Sequence, residues 1–221
     1  MTIAVVQFPG TNCDDETVAA IAAVGGDPIR VWHESRALPP GATAVILPGG
    51  FSYGDYLRTG AIARFAPVMD AVAAFAARGG VVVGICNGFQ ILCEAGLLPG
   101  ALLPNVGLKF ECRWVSLRVE AERPVFTSAF GIGETVDLPI AHFEGRFTCD
   151  AATLEEIERD RRVLLRYREN PNGSMNDIAG LVNASGNVFG LMPHPERDME
   201  TWMGGGAAGR RFFESLVKGA R

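Results

Sequence analysis

The sequence predicts an α/β fold, a mostly parallel sheet with helices on both faces and a small antiparallel extension. Three observations carry this. Short, continuous apolar runs such as "GGVVVGIC" at 79–86 suit strands buried on both faces. Helical patterns alternate with these runs through the first half of the chain. Between residues 108 and 140 the pattern changes to strand-like alternation broken by turn signals, which marks an antiparallel insertion or edge extension.

Taken in order, "TIAVVQF" (2–8) is the first strand and "PGTNCDD" the turn after it. Residues 14–24 begin with acidic side chains and carry Val18, Ile21 and Ala22 at helical spacing, and Gly25 and Gly26 stop the pattern. "PIRVWH" (28–33) and "ATAVILPGG" (42–50) are the next two strands. An Ala-rich helix is predicted over 60–78, a strand over 79–86 and a helix over 87–98 that closes at Gly96. "LKFECRWVSLRVE" and "ETVDLPIAHFEGRF" supply the extension. A charged helix (153–161), the strand "RVLLRY" (162–167), the polar loop "RENPNGSMND" and the strands "IAGLVN" and "NVFGLMPH" follow. The Gly-rich stretch "MGGGAAG" precedes the final helix, "RRFFESLVKGA". Nothing repeats and no low-complexity linker interrupts the chain, so a single domain over 1–221 is expected.

The chain is 48% hydrophobic and 20% charged, enough apolar material for a sizeable core. A net charge of −5, with no run of Lys and Arg, argues against a nucleic-acid partner. The five cysteines, at 13, 86, 93, 112 and 149, show no CxxC pair and no zinc-ligand spacing, so no metal is expected. Their odd number fits reduced thiols and a cytoplasmic home. The N-terminus lacks a basic n-region, and no apolar run approaches the roughly 20 residues that span a bilayer. No membrane association is expected.

Cys86 lies in "GICNGFQ", between Gly84 and Gly88, where a buried strand gives way to a helix. G-x-C-x-G is the cysteine form of the nucleophile elbow, a strained turn that lifts a side chain out of the sheet edge. The helix N-terminus and a nearby imidazolium would favour the thiolate. The backbone N–H of Asn87 would face a developing oxyanion. Of three histidines, His194 in "LMPHPER" also ends a predicted strand. Glu196, two residues on, shares its side in extended backbone and can orient the imidazole. "LPGGFSYGDYLR" (47–58) leaves a third strand, and Gly50 there can offer a second oxyanion donor. Cys13 is assigned a structural or pocket-lining role, Cys93, Cys112 and Cys149 the core, and His33 the surface.

Together these segments resemble the class I, or triad, glutamine amidotransferases over nearly the whole chain. "GICNGFQIL" is similar to their nucleophile segment, "MPHPER" to their His–Glu segment and "PGGFSYGDYLR" to their glutamine and oxyanion loop. "FPGTNCD", "PIAHFEGRF" and "ENPNGSMNDIAG" look like the glutaminase subunits of purine biosynthesis within that class. The resemblance implies a flavodoxin-like three-layer sandwich that hydrolyses L-glutamine through a thioester on Cys86, with His194 as acid and base and Glu196 orienting it. It implies Gly50 and Asn87 as oxyanion donors, and Phe51 and Gln90 as glutamine-pocket residues. His142 and Phe143 are candidates for a pocket or partner contact, Phe143 standing where the family usually has glycine. It implies no cofactor on this chain. ATP and Mg²⁺ belong to a separate large synthetase subunit, joined by a small bridging subunit, which receives the ammonia. A glutaminase for another synthetase and a related cysteine hydrolase of the same fold are the alternatives.

Overall fold

Runs of β-branched and other apolar residues make strands that need cover on both faces. In the computed structural model, which describes residues 1–123 and 125–220, these are β1 (Thr2–Gln7), β2 (Asp27–Trp32), β3 (Ala42–Leu47) and β4 (Val81–Ile85) in the first half. Pro124 and Arg221, inside the expected 1–221 domain, lie outside the described residues. The second half adds β5 (Ala101–Leu103), β6 (Glu111–Val119), β7 (Thr135–His142), β8 (Arg146–Thr148), β9 (Val163–Tyr167), β10 (Ile178–Val182) and β11 (Val188–Leu191). The helices are α1 (Asp14–Ala23), α2 (Pro67–Ala77), α3 (Asn87–Glu94), α4 (Ala151–Arg159) and α5 (Ala208–Gly219).

Nine strands form one sheet in the order β2-β1-β3-β4-β11-β10-β9-β6-β7. The first five pair in parallel, and each of the remaining pairings is antiparallel. The antiparallel extension thus reaches four strands. β5 and β8 form a separate antiparallel pair. Every residue of β10 and β11 is buried, so this middle of the sheet is covered on both faces. On β6 and β7 burial alternates, with Val115, Leu117 and Val119 facing inward and their neighbours facing solvent. That alternation puts Cys112 on the exposed face of a half-covered strand, not in the core expected from its sequence.

Helix boundaries follow local chemistry. The helix predicted over 60–78 begins only at Pro67, because Pro fits the first helical turn and holds Ala66 extended (φ −64°, ψ 140°). The segment before it makes a short 3₁₀ turn, Ala63–Phe65. α1 buries Thr17, Ala20 and Ile21; Ala22, predicted on its inner face, points outward. α3 ends at Glu94, and Gly96 turns the chain at φ +69°. α4 is capped by Asp150, whose carboxylate accepts from the Thr153 N–H at 2.9 Å.

The strand order brings distant loops together. β4 lies between β3 and β11, with Leu47 opposite Gly84 and Ile85 opposite Leu191 in parallel register. The chain therefore leaves β3, β4 and β11 at one carboxyl edge, with the loop after β1 next to them. The order reverses between β1 and β3, the kind of switch point where open α/β sheets bind ligands.

Candidate active site

Cys86 is the residue between β4 and α3, and its backbone is strained. Its φ of +50° and ψ of −105° lie outside the regions open to L-residues. Two glycines permit the turn. A Cβ on Gly84 would come within 2.6 Å of the Gly88 carbonyl, and one on Gly88 would lie 1.9 Å from the Leu47 carbonyl oxygen. The elbow is tied down where the Cys86 N–H donates to the Leu191 carbonyl at 2.8 Å. Strain held by surrounding bonds in this way is a mark of a functional turn.

His194 follows β11 and its own N–H donates to the Pro139 carbonyl at 2.9 Å. Its Nδ1 is 2.6 Å from Glu196 Oε1, and both side chains are buried. Burial alone would push the imidazole down. The Glu196 carboxylate and then the Cys86 thiol outweigh it and hold His194 well above its ordinary pKa. Its Nε2 has no partner among the described residues, which leaves that nitrogen available for a reacting group. The segment is fastened to the last helix: Asp198 Oδ2 accepts from the Ala208 N–H at 2.7 Å.

The loop after β3 completes the edge. Asn12 N and Phe51 N donate to the Gly49 and Gly10 carbonyls, at 3.4 and 2.9 Å, so two loops run side by side. Among the described residues nothing accepts from the Gly50 or Asn87 N–H. The Asn87 side chain joins this loop to the elbow helix, since its Oδ1 accepts from the Ser52 N–H at 3.2 Å. Its Nδ2 donates to Gln90 Oε1 at 2.9 Å, and Gln90 Nε2 donates to the Glu144 carbonyl at 2.6 Å. Both amides are thus spent inside the protein, holding the loops in place.

Cys86 and His194 share a cavity of about 160 Å³ with Gly50 and Phe51. Asn12 and Cys13 after β1, Arg197 after His194, and Phe110 and Ala141 from the extension complete its lining. The wider concavity at residues 113–116 and 168–169 has no cysteine or histidine in its lining. Cys13 therefore does line the cavity, as the sequence suggests, and Arg197 Nη2 donates to its sulfur at 3.1 Å. Arg197 and Phe110 also line the cavity, with no local sequence signal that marks either one. Arg197 directly follows Glu196, but its partner Cys13 is 184 residues away and no local pattern joins them.

His142 and Phe143 do not line this cavity. Phe143 is 40% exposed. His142 is buried, its Nδ1 unpartnered among the described residues and its Nε2 3.5 Å from Asn172 Nδ2. Burial, helped by the positive His194, lowers its pKa to about 4. It is neutral in the folded protein at pH 6 but takes up a proton when unfolded. Stability therefore falls as pH drops from about 6.5 towards 4, by about 3 kcal/mol for this group. Urea titrations of the protein and of His142→Asn across that window should show a shallower pH slope in the variant. Equal slopes would contradict the assignment.

Residues 1–210 match the CobB/CobQ-like glutamine amidotransferase domain family. The phosphoribosylformylglycinamidine synthase subunit PurQ of Rubrobacter xylanophilus is 54% identical over 221 residues, all of both chains. That of Novosphingobium aromaticivorans is 52% identical, over 99% of this chain and 97% of its own. Among solved structures, one described as PurLQS from Thermotoga maritima superimposes with a TM-score of 0.89 at 46% identity, covering 98% of this chain and 97% of that one.

Proposed function

The chain belongs to the CobB/CobQ-like glutamine amidotransferase family, and from that membership we infer that it is the glutaminase subunit of phosphoribosylformylglycinamidine synthase. It hydrolyses L-glutamine and passes ammonia to a synthetase subunit that amidates formylglycinamide ribonucleotide in purine biosynthesis. A large synthetase subunit and a small bridging subunit complete the enzyme. The carrying observation is the strained Cys86 elbow facing a buried His194–Glu196 pair in one cavity.

In the mechanism we propose, the Cys86 thiolate attacks the side-chain carboxamide carbon of glutamine. The tetrahedral oxyanion is held by the Gly50 and Asn87 N–H groups. His194, kept protonated by Glu196, gives its proton to the departing nitrogen, and ammonia leaves a γ-glutamyl thioester on Cys86. The neutral imidazole then takes a proton from water, which releases glutamate. Glu196 fixes the ring and stabilises the imidazolium. Phe51 would pack on the glutamine, while Asn87 and Gln90 side chains act through the loops they join. We treat residues 1–221 as one catalytic domain.

Ammonia becomes non-nucleophilic ammonium in neutral water, so it needs a covered path to the acceptor. Phe51 and Phe110 at the cavity are about half exposed, and Tyr56 and Leu57 further along the loop stand largely in solvent. We place the synthetase on this apolar mouth, with Phe143 a candidate contact. ATP and Mg²⁺ are assigned to the synthetase, in keeping with the lack of a GxxxxGK[ST] loop in this sequence. Among the described residues no helix is long and apolar enough to cross a membrane, and we place the enzyme in the cytoplasm.

Glutamate release measured for the chain alone and for the reconstituted three-subunit enzyme tests this reading. The complex is expected to turn over at least about tenfold faster, as docking completes the mouth and spares glutamine when no acceptor is present. Equal rates would contradict it.

A further inference from the structure

Cys13 is not used in the mechanism above, yet it lies against the catalytic base. Its Sγ, a ring nitrogen of His194 and a carboxylate oxygen of Glu196 all lie within 4.8 Å of one another, and all three residues are buried. In the same two side chains His194 Nε2, which the reacting group uses, and Glu196 Oε2, which the mechanism leaves unused, are buried with no partner among the described residues. Buried polar atoms are costly to leave unpaired, so this cluster has unused donor capacity. We propose that Cys13, His194 and Glu196 form a binding site for a thiophilic divalent cation of the zinc class, and that its occupancy reversibly shuts off the glutaminase.

The donor set of sulfur, imidazole nitrogen and carboxylate oxygen is the mixture that zinc takes in tetrahedral sites. Bonds of roughly 2.0–2.3 Å space neighbouring donors by about 3.3–3.6 Å. Donors lying within 4.8 Å of one another therefore close on a cation with movements of about 1.5 Å or less. The 2.6 Å contact between His194 Nδ1 and Glu196 Oε1 is given up as the cation enters. One thiolate and one carboxylate balance the charge of the cation. Arg197 Nη2, 3.1 Å from Cys13 Sγ, stays as an outer donor to the ligating sulfur, the kind of second contact that steadies metal ligands. Cys86 lines the same cavity as Cys13 and His194, so water or the Cys86 sulfur would take the fourth position. A cation held here ties up the imidazole and the carboxylate together, and His194 can no longer carry protons.

Binding depends only on the geometry of the cluster, whereas inhibition also rests on His194 being the base. The two are read separately. Cobalt(II) is titrated into the purified chain, Cys86→Ala and Cys13→Ala, with a thiolate-to-metal charge-transfer band as the signal. One equivalent should give the band in the first two and none in Cys13→Ala. Zinc affinity by calorimetry should fall in Cys13→Ala by more than the roughly 10- to 100-fold cost of losing an outer partner. Cys13→Ser serves as a second variant should the alanine chain fail to fold, and should weaken zinc likewise. A band that survives in Cys13→Ala, a band lost in Cys86→Ala, or no band in the unmodified chain would each overturn the site. Zinc added to the reconstituted enzyme then tests the consequence. Strong binding without inhibition would leave the site standing and overturn its regulatory role.

Discussion

Cys86→Ala is expected to lower glutamine hydrolysis by the reconstituted enzyme by about 10⁴-fold or more, because the thioester route disappears with the thiolate. Alanine keeps the Cβ that the elbow already accommodates at φ +50°, so the melting temperature should change little. His194→Ala should cause a loss of similar size, and the double variant should be no worse than either single one. Residues that act as one unit are not additive in this way. A double variant slower by the product of the two effects would show that Cys86 and His194 work independently.

Gly88→Ala is expected to be among the most damaging small substitutions in the fold. The added methyl would lie 1.9 Å from the Leu47 carbonyl oxygen, and that atom belongs to the backbone of a buried strand. Either α3 moves away from β3 or the elbow opens, at a cost of about 3 kcal/mol or more. For a chain of this size that lowers Tm by roughly 6–12 °C. Activity should fall further than stability, since the same shift moves Cys86 and the Asn87 N–H away from His194. Gly107→Ala is the control: no atom lies within 4 Å of its added Cβ, and it should melt within about 1 °C of the unmodified chain. Thermal unfolding of the two variants side by side decides the point.

Much of this was readable in the residues because the signals are local. The continuous apolar runs became β1, β3, β4 and β11, since a strand buried on both faces needs apolar residues at every position. "GICNGFQ" was legible because a strained turn demands small neighbours, and the glycines meet Leu47 and the helix backbone as that reasoning requires. "MPHPER" was legible in that His194 and Glu196, two residues apart, bond each other directly, but a 3₁₀ turn over Pro195–Arg197 brings them together, not the extended backbone expected.

What stayed hidden depends on contacts between distant segments. The strand order that places β4 between β3 and β11 is not written in any one segment. The Ala-rich pattern over 60–78 concealed the break at Pro67, although a proline marks the first turn of a helix more often than its middle. A core Cys112 is the expectation from cysteine's usual burial, and the one-sided cover of β6 reverses that preference. Arg197 and Cys13 come from opposite ends of the chain and acquire their meaning only when β1 and β11 bring their loops to one edge.

The central claim is that glutamine is opened by covalent attachment to Cys86. Rapid-quench mass spectrometry of the reconstituted enzyme with glutamine, followed by peptide mapping, tests it most directly. The account predicts a γ-glutamyl group on the peptide that contains Cys86, formed at least as fast as steady-state turnover and absent from Cys86→Ala. Turnover without any glutamyl adduct under conditions that trap thioesters, or an adduct on the Cys13 peptide instead, would contradict it.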